Sequence, residues 1–341
     1  MSFIPGAPAA IEVPPIGSLD ATIAFIGEAP GVDEVRTMRP FSGMAGTVLE
    51  NCMHAAMIMK GNCYLTETIK VRPKGEITPY FNPRTGSFTS AGQEWVDRLY
   101  EELSHCRANV LVPLGAVALA AVTGKRSIGK YRGYVMESVS ALGKRKVLPT
   151  LHPSAALRGN YIYRYYITGD LRKAKLESAY PELKRPVRRL VIPNTLSEVM
   201  DWLDYLSSCE RISCDIEVVN FEVSCIGFST QEDLAVSIPL YHAKWTVNDE
   251  VVIWKALAAL MEKPSIIWIF QNGIFDIQFL ATQCGIQVAC WDMTKIEDTM
   301  IGHHIMYPEM LKGLGFLVSC YCGSQEYYKD MIKWDNIKEE S

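Results

Sequence analysis

Ile23-Ala-Phe-Ile-Gly-Glu-Ala-Pro-Gly31, followed by Arg39-Pro-Phe-Ser-Gly-Met-Ala-Gly46, decides how the first half of this 341-residue chain is read. Four apolar residues run directly into Gly, Glu, Pro and Gly, the pattern of a strand buried on both faces that opens into a ligand loop. Gly27 and Gly31 let the backbone come close to a ligand, and Pro30 stiffens the turn between them. Working outward, strand signals at 22–26, 110–114 and 146–150 alternate with a helical pattern around 47–59. Such alternation predicts an α/β domain with a doubly wound parallel sheet. Ligands sit at the carboxyl ends of strands in these sheets, where the 27–31 loop and His152 both emerge.

The length predicts two domains, with residues 1–180 in the first, a linker at 181–189 and residues 190–341 in the second. The linker rests on Tyr180-Pro-Glu-Leu-Lys-Arg-Pro186, which has two prolines and no hydrophobic period. No apolar run reaches the roughly 18 residues of a membrane helix, and the proline-rich start lacks a basic n-region. A soluble, cytoplasmic protein with no membrane partner is expected. The ten cysteines are scattered through apolar segments such as Val223-Ser-Cys-Ile-Gly227 and read as reduced thiols.

The net charge of −4 conceals a segregation. Residues 125–189 hold 16 Lys or Arg against 4 Asp or Glu, a balance of +12 that leaves −16 on the rest. Tyr161, Tyr163, Tyr165 and Tyr166 interleave with Arg158 and Arg164 there, offering stacking surfaces beside charge, as nucleic-acid contacts require. The second half opens with the capping box Thr195-Leu-Ser-Glu198. Strands are expected at 212–216, 223–229, 234–238 and 266–270, with helices at 249–261 and 275–284. In the first of these strands, Asp215 and Glu217 are two residues apart and so share a face.

The first half resembles the family 4 uracil-DNA glycosylases, on the loop Gly27–Gly31, on Phe41 thirteen residues after Glu28, and on His152-Pro-Ser-Ala-Ala-Leu-Arg158. The resemblance implies that Phe41 stacks on a flipped base and that His152 hydrogen-bonds the leaving base. By the same resemblance Glu28 and Glu34 arrange water and loop, and Gly27, Gly31 and Arg158 contact the nucleotide. Two departures stand out. Where the family reads uracil with an asparagine in Thr-Asn-x-x-Lys-Cys-Arg-Pro, this chain has Thr66-Glu67-Thr-Ile-Lys-Val71-Arg-Pro73. An amide both donates and accepts, whereas an ionised glutamate only accepts, so Glu67 is either protonated, tuned to another base, or inactive. The family also holds an iron–sulfur cluster on four cysteines. No cysteine precedes Cys52 here and Val71 replaces another ligand, so no such cluster is expected.

The second half resembles the ribonuclease H-like DEDD 3′–5′ exonuclease domain of family A DNA polymerases of bacteria and phages, a mixed-sheet fold. The residues that carry this are Asp215-Ile-Glu217, Phe270-Gln-Asn-Gly-Ile-Phe-Asp276 with Asn272 before the acid, and Glu297-Asp-Thr-Met300 with Leu311–Leu317. The resemblance implies that Asp215, Glu217 and Asp276 hold Mg2+ or Mn2+ for phosphodiester hydrolysis, that Asn272 contacts DNA, and that Asp298 is structural or peripheral. Its fourth carboxylate lies in a Tyr-x-x-x-Asp motif. Asp330 has Glu326 four residues before it and falls too early, so the chain reads as an N-terminal polymerase fragment, split or truncated before that motif. The leading expectation is a replication or repair protein, the N-terminal part of a family A DNA polymerase, that joins the glycosylase-like domain to the exonuclease domain and binds DNA, single-stranded or at a primer terminus; a separately encoded polymerase chain is a candidate partner. Alternatives are a catalytically silent DNA-binding platform, and a glycosylase with an accessory domain.

Overall fold

The computed structural model describes residues 11–241, 245–323, 327 and 330. Residues 1–10 of the proline-rich start, and Glu326, lie outside the described residues. The chain divides into two compact units, one of Met1–Arg185 with Gly315–Ser341 and the other of Pro186–Leu314.

The first unit contains β1 (Ile23–Gly27), α1 (Val32–Thr37), α2 (Met44–Ala55), β2 (Tyr64–Glu67), the hairpin β3 (Phe81–Asn82) and β4 (Ser87–Phe88), and α3 (Ser90–His105). It continues through β5 (Val110–Pro113), α4 (Ala116–Thr123), α5 (Ile128–Tyr131), β6 (Met136–Glu137), β7 (Lys146–Val147) and α6 (Tyr163–Glu177). The main sheet runs β2-β1-β5-β7-β6 and is parallel except for β6. Every residue of β1 is buried because its alternate side chains enter two different cores. Ile23 and Phe25 join Leu49, Met53, Ile167 and Leu171 on one face. Ala24 and Ile26 join Leu99, Leu103, Ala118 and Val122 on the other. Helices on both faces therefore explain the uninterrupted apolar run, and the doubly wound sheet is present. The register sets Gly27 beside Glu67 at the carboxyl ends of β1 and β2.

The second unit contains β8 (Arg189–Val191), α7 (Leu196–Ser207), β9 (Arg211–Val219), β10 (Glu222–Ser229), β11 (Leu234–Pro239), α8 (Val247–Met261), β12 (Ile267–Phe270), α9 (Ile274–Gln283), β13 (Ile296–Asp298) and α10 (Thr299–Met306). Its sheet runs β13-β12-β9-β10-β11-β8. The meander β9-β10-β11 is antiparallel, while β12 and β13 run parallel to β9. This is the mixed sheet that the second half predicts. Thr195 and Glu198 do form the capping box of α7.

Three features differ from expectation. The strand at 146–150 is paired over only Lys146–Val147, with Thr150 reaching Leu114 by an isolated bridge. The tyrosine-rich segment is helix α6, which buries Tyr166, Ile167, Asp170, Leu171 and Ala174 on one stripe. The last helix among the described residues, α11 (Leu314–Tyr321), belongs from Gly315 onward to the first unit. Among the described residues no helix is long and apolar enough to cross a membrane.

Candidate functional site

In the first unit the loop after β1 is held by Glu34, in the first turn of α1. Its Oε2 accepts from the Gly31 N–H at 3.0 Å and its Oε1 from the Gly43 N–H at 2.8 Å. One carboxylate thus ties the glycine loop to the segment that carries Phe41. Phe41 adopts φ 52° and is buried, and a Cβ on Gly46 would come within 1.9 Å of its carbonyl oxygen, so glycine there lets the turn close.

The Phe41 ring and the Glu67 carboxyl meet at Gly27. A Cβ on Gly27 would lie 1.9 Å from Glu67 Oε2 and 2.8 Å from Phe41 Cζ, so glycine is what leaves room for both groups. Glu67 is 4 % exposed, and its Oε2 has no hydrogen-bond partner. Burial raises its pKa well above the ordinary carboxylate range; Lys70 opposes the rise, and Glu34 and Glu28 add to it. Of the alternatives open from sequence, this direction favours the protonated carboxyl, which donates as well as accepts. Burial also raises Glu28, against the pull of Arg158.

His152 lies at the mouth of the loop after β7. The Ser154 N–H donates to its Nδ1 at 3.2 Å, and the Ser154 hydroxyl lies 2.8 Å from the same atom. Because a backbone amide only donates, Nδ1 is the bare nitrogen and Nε2 carries the proton. Burial, reinforced by Arg158, lowers the ring to about 4, which keeps it neutral. The result is an N–H donor that develops no cation of its own. Ser154 is a site residue that sequence reasoning passed over; a serine two residues after a histidine is the signal that could have found it. A cavity of about 560 Å³ lies alongside, lined by Arg39, Pro40, Phe41, Ser42 and Lys60; neither Glu67 nor His152 lines it.

The basic block is less available than its charge count implies. Arg132 and Lys146 are buried and paired with Asp170 and Glu177. Of the four tyrosines, Tyr161 and Tyr165 are exposed and pack edge-on to one another, while Tyr166 is in the core. The Cys52 thiol donates to the Arg164 carbonyl and the Cys63 thiol to the Met59 carbonyl, and Val71, where the resemblance places a cluster ligand, has no ligating atom.

In the second unit β9 buries Ile212, Cys214 and Ile216 and turns Asp215 and Glu217 to the opposite, exposed face. β12 pairs with β9 only as far as Ser213, so the Ile216 N–H is left open on that side. Asp276, in the first turn of α9, takes it through Oδ1 at 3.0 Å. Asp298 fixes the preceding loop: it accepts from the Asn272 and Gly273 N–H groups while capping α10 through the Met300 and Ile301 N–H groups. Asn272 has φ 61°, and Gly273 is required because a Cβ there would meet the Phe270 ring. Asp298 is therefore structural, as expected. Burial, then Asp276 and Glu217, push Asp215 up to about 6; burial also raises Asp276, opposed by the Ile216 N–H.

Asp215, Glu217 and Asp276 fit a hard divalent cation by donor chemistry, since all are carboxylates and their mutual repulsion is what a cation relieves. Among the described residues no three His, Cys, Asp or Glu side chains are grouped so as to hold a metal ion. Asp330 does not complete the carboxylate set. Its carboxylate is bound by Lys125 Nζ at 3.1 Å, Lys130 Nζ at 2.7 Å and the Tyr131 hydroxyl at 2.8 Å, all in the first unit.

Residues 14–184 match the Uracil DNA glycosylase superfamily, and residues 190–339 match a 3′–5′ exonuclease family of the DNA polymerase A type. The chain is similar to the type-4 uracil-DNA glycosylase of Thermotoga maritima, 37 % identical over 164 residues, 47 % of this chain and 79 % of that protein. It is also similar to the DNA polymerase of Bacillus phage SP01, 24 % identical over 326 residues, 85 % of this chain and a third (33 %) of that polymerase. Among solved structures, Escherichia coli RNase D aligns at 15 % identity over 43 % of this chain and 37 % of its own, with a TM-score of 0.33. Exonuclease domains of this kind depend on divalent metal. The chain belongs, over residues 14–184, to the uracil-DNA glycosylase superfamily, and joins that fold in one polypeptide to a 3′–5′ exonuclease domain acting on DNA.

Proposed function

We propose that this protein serves DNA replication or repair by joining base inspection to 3′ trimming: the first unit extrudes a base into the Phe41–Glu67 pocket and the second removes nucleotides from a 3′ end. The observation that carries the first half is the buried, unpartnered Glu67 Oε2 facing Phe41 across Gly27. Neutral Glu67 presents an O–H and a C=O side by side, which matches a pyrimidine edge that offers a carbonyl and an N–H. Phe41 stacks on the ring, and Gly27 and Gly31 leave backbone room for the nucleotide. Nε2–H of His152 donates to the base oxygen that gains charge as the glycosidic bond breaks, a preorganised donor of the kind that stabilises such charge. Glu28 orients the attacking water, and Arg158 offers charge to a neighbouring phosphate.

In the second unit, Asp215, Glu217 and Asp276 would hold Mg2+ or Mn2+, which supplies an activated water and stabilises the leaving oxygen. Asp276 is set by the Ile216 N–H, and Asn272 stands where the strand enters. The similarity to the phage polymerase extends across both units, which supports action at a single-stranded or primer-terminal DNA end beside a polymerase module, in the same chain or a separate one. A second reading, a DNA-binding platform without nuclease chemistry, is favoured by one observation, that among the described residues no three His, Cys, Asp or Glu side chains are grouped so as to hold a metal ion.

A denaturing gel of 5′-labelled oligonucleotides containing thymine, uracil or 5-hydroxymethyluracil, run with Mg2+ or chelator and then alkali, tests both halves. The proposal expects a metal-dependent ladder on every substrate and an alkali-dependent break at one base in chelator. No ladder at any Mg2+ or Mn2+ concentration would leave the platform, and no alkali-dependent break would remove the glycosylase assignment.

A further inference from the structure

Helix α11 falls within the stretch matched to the exonuclease, yet it is built into the glycosylase-type unit. The Gly315 carbonyl accepts from the Tyr134 hydroxyl, the Phe316 ring lies 5.0 Å from that of Tyr166, and the Ser319 carbonyl accepts from Lys173 Nζ at 2.6 Å. Further along, Tyr327 packs edge-on against Tyr131 and Tyr134, and Asp330 binds Lys125, Lys130 and Tyr131.

At the centre of this contact is a chain of buried polar groups. Ser319 Oγ accepts from Arg132 Nη1 at 3.1 Å; Arg132 Nε donates to Asp170 Oδ2 at 3.0 Å, and Nη2 donates to Oδ1. Asp170 Oδ2 also accepts from the Thr150 hydroxyl at 2.7 Å. Ser319, Arg132, Asp170 and Thr150 are each 4 % exposed or less. Gly133 closes the cluster: with φ 75°, a Cβ there would stand 2.7 Å from Asp170 Oδ1 and 2.8 Å from the Ser319 carbonyl. The Thr150 backbone is pinned on its other side, its N–H to Pro113 and its carbonyl to the Gly115 N–H. His152 follows two residues later, with its Cβ 3.0 Å from where a Gly115 Cβ would be.

We propose that α11 is a working part of the glycosylase-type site, because the chain Ser319–Arg132–Asp170–Thr150 fixes the strand end from which His152 projects, with Asp170 as its positioning residue. The inference rests on the role given above to His152. A buried network whose members are all satisfied holds one geometry, and a group displaced by about 1 Å from a reacting centre costs on the order of a hundredfold in rate.

Thr150→Val in the full chain removes the hydroxyl with little change of shape, and Thr150→Ser keeps it. The readouts are single-turnover excision of uracil from a labelled oligonucleotide and the 15N-histidine correlation spectrum of the protein without DNA. The expected result is a loss of about 10- to 100-fold in rate constant with little change in half-saturation for Thr150→Val. Thr150→Ser should restore the rate, and the His152 signal should move in the valine variant alone. Ser319→Ala should reproduce the signal shift in smaller measure, since it acts at the far end of the chain. An unmoved His152 signal in both Thr150→Val and Ser319→Ala would overturn the proposal, as would a rate loss that serine does not restore. If the unmodified chain excises no base, the glycosylase assignment fails, while the spectra still decide whether α11 reaches His152.

Discussion

Glu67→Gln isolates a single buried proton. The carboxyl is 4 % exposed, one of its oxygens has no partner, and burial with Glu34 and Glu28 nearby drives its pKa well above the ordinary value of 4.5. In the unfolded chain the group ionises near 4.5, whereas in the fold burial raises its pKa well above that, so the native state binds more protons than the unfolded one between the two values. Its contribution is therefore complete below about pH 4.5 and falls as pH rises toward the folded value. The slope is at most about 1.4 kcal/mol per pH unit, the cost of one proton held in one state only. For a unit of this size that is about 3–5 °C of melting temperature per pH unit. Glutamine fills the same space and does not titrate. Thermal melts of the two proteins from pH 5 to pH 9 should converge at the acid end and separate steadily above it, the glutamine variant melting higher. Subtraction removes every other titration except the small relief felt by Glu28. Parallel curves would refute the reasoning, because they would mean that Glu67 is ionised in the fold or solvated in a way that the buried Oε2 excludes.

Other consequences follow from single contacts. Gly27→Ala places a methyl group on Glu67 Oε2 and Phe41 Cζ, and should cost about 1–3 kcal/mol while closing the pocket to any base; unchanged uracil excision would separate the pocket from the activity. Asp298→Ala strips acceptors from four N–H groups in the Asn272 loop and at the α10 cap. A loss of about 1–3 kcal/mol is expected, with nuclease activity falling alongside; an active, equally stable variant would show that the loop holds itself. Burial depresses His152 from 6.5 to about 4, so the native state binds fewer protons in that window and loses about 3 kcal/mol as pH falls through it. His152→Gln should escape that loss, and melts from pH 4 to pH 7 that stay parallel would contradict a neutral ring.

How much of this was legible depended on whether the deciding contacts were local. The strand-and-loop reading of Ile23–Gly31 needed only an apolar run and two glycines, and Asp276 could be placed because the contiguous stretch Phe270–Asp276 carries the resemblance to an exonuclease motif. β2 was hidden because Thr66 and Glu67 interrupt its apolar signal, although both are buried in the sheet. The cations of 125–189 read as a surface, yet Arg132 and Lys146 are interior, and only long-range partners, Asp170 and Glu177, could have shown it. The same limit hid α11. Gly-Phe-Leu-Val-Ser is apolar enough for any core, and nothing in its own residues selects the one that offers Tyr134, Tyr166 and Arg132.

The two units also contain carboxylate groupings of opposite kinds, and this divides their metal requirement. Around Gly27, Glu34 is spent on two backbone N–H groups, burial raises Glu67 well above the ordinary carboxylate range, and Glu28 has Arg158 near it. On β9 and α9, Asp215 is pushed up to about 6 by burial and by two neighbouring acids, and the Ile216 N–H is donated to Asp276. A divalent ion there would offset the charge of these carboxylates. Chelator should therefore silence the ladder and leave base excision intact. Asp215→Ala should do the same with Mg2+ present, cutting the nuclease rate by about 10³-fold, the several kcal/mol of charge stabilisation at tenfold per 1.4 kcal/mol. Excision that fails in chelator would show that a metal also organises the pocket, and that the neutral Glu67 inferred from its burial is instead a ligand.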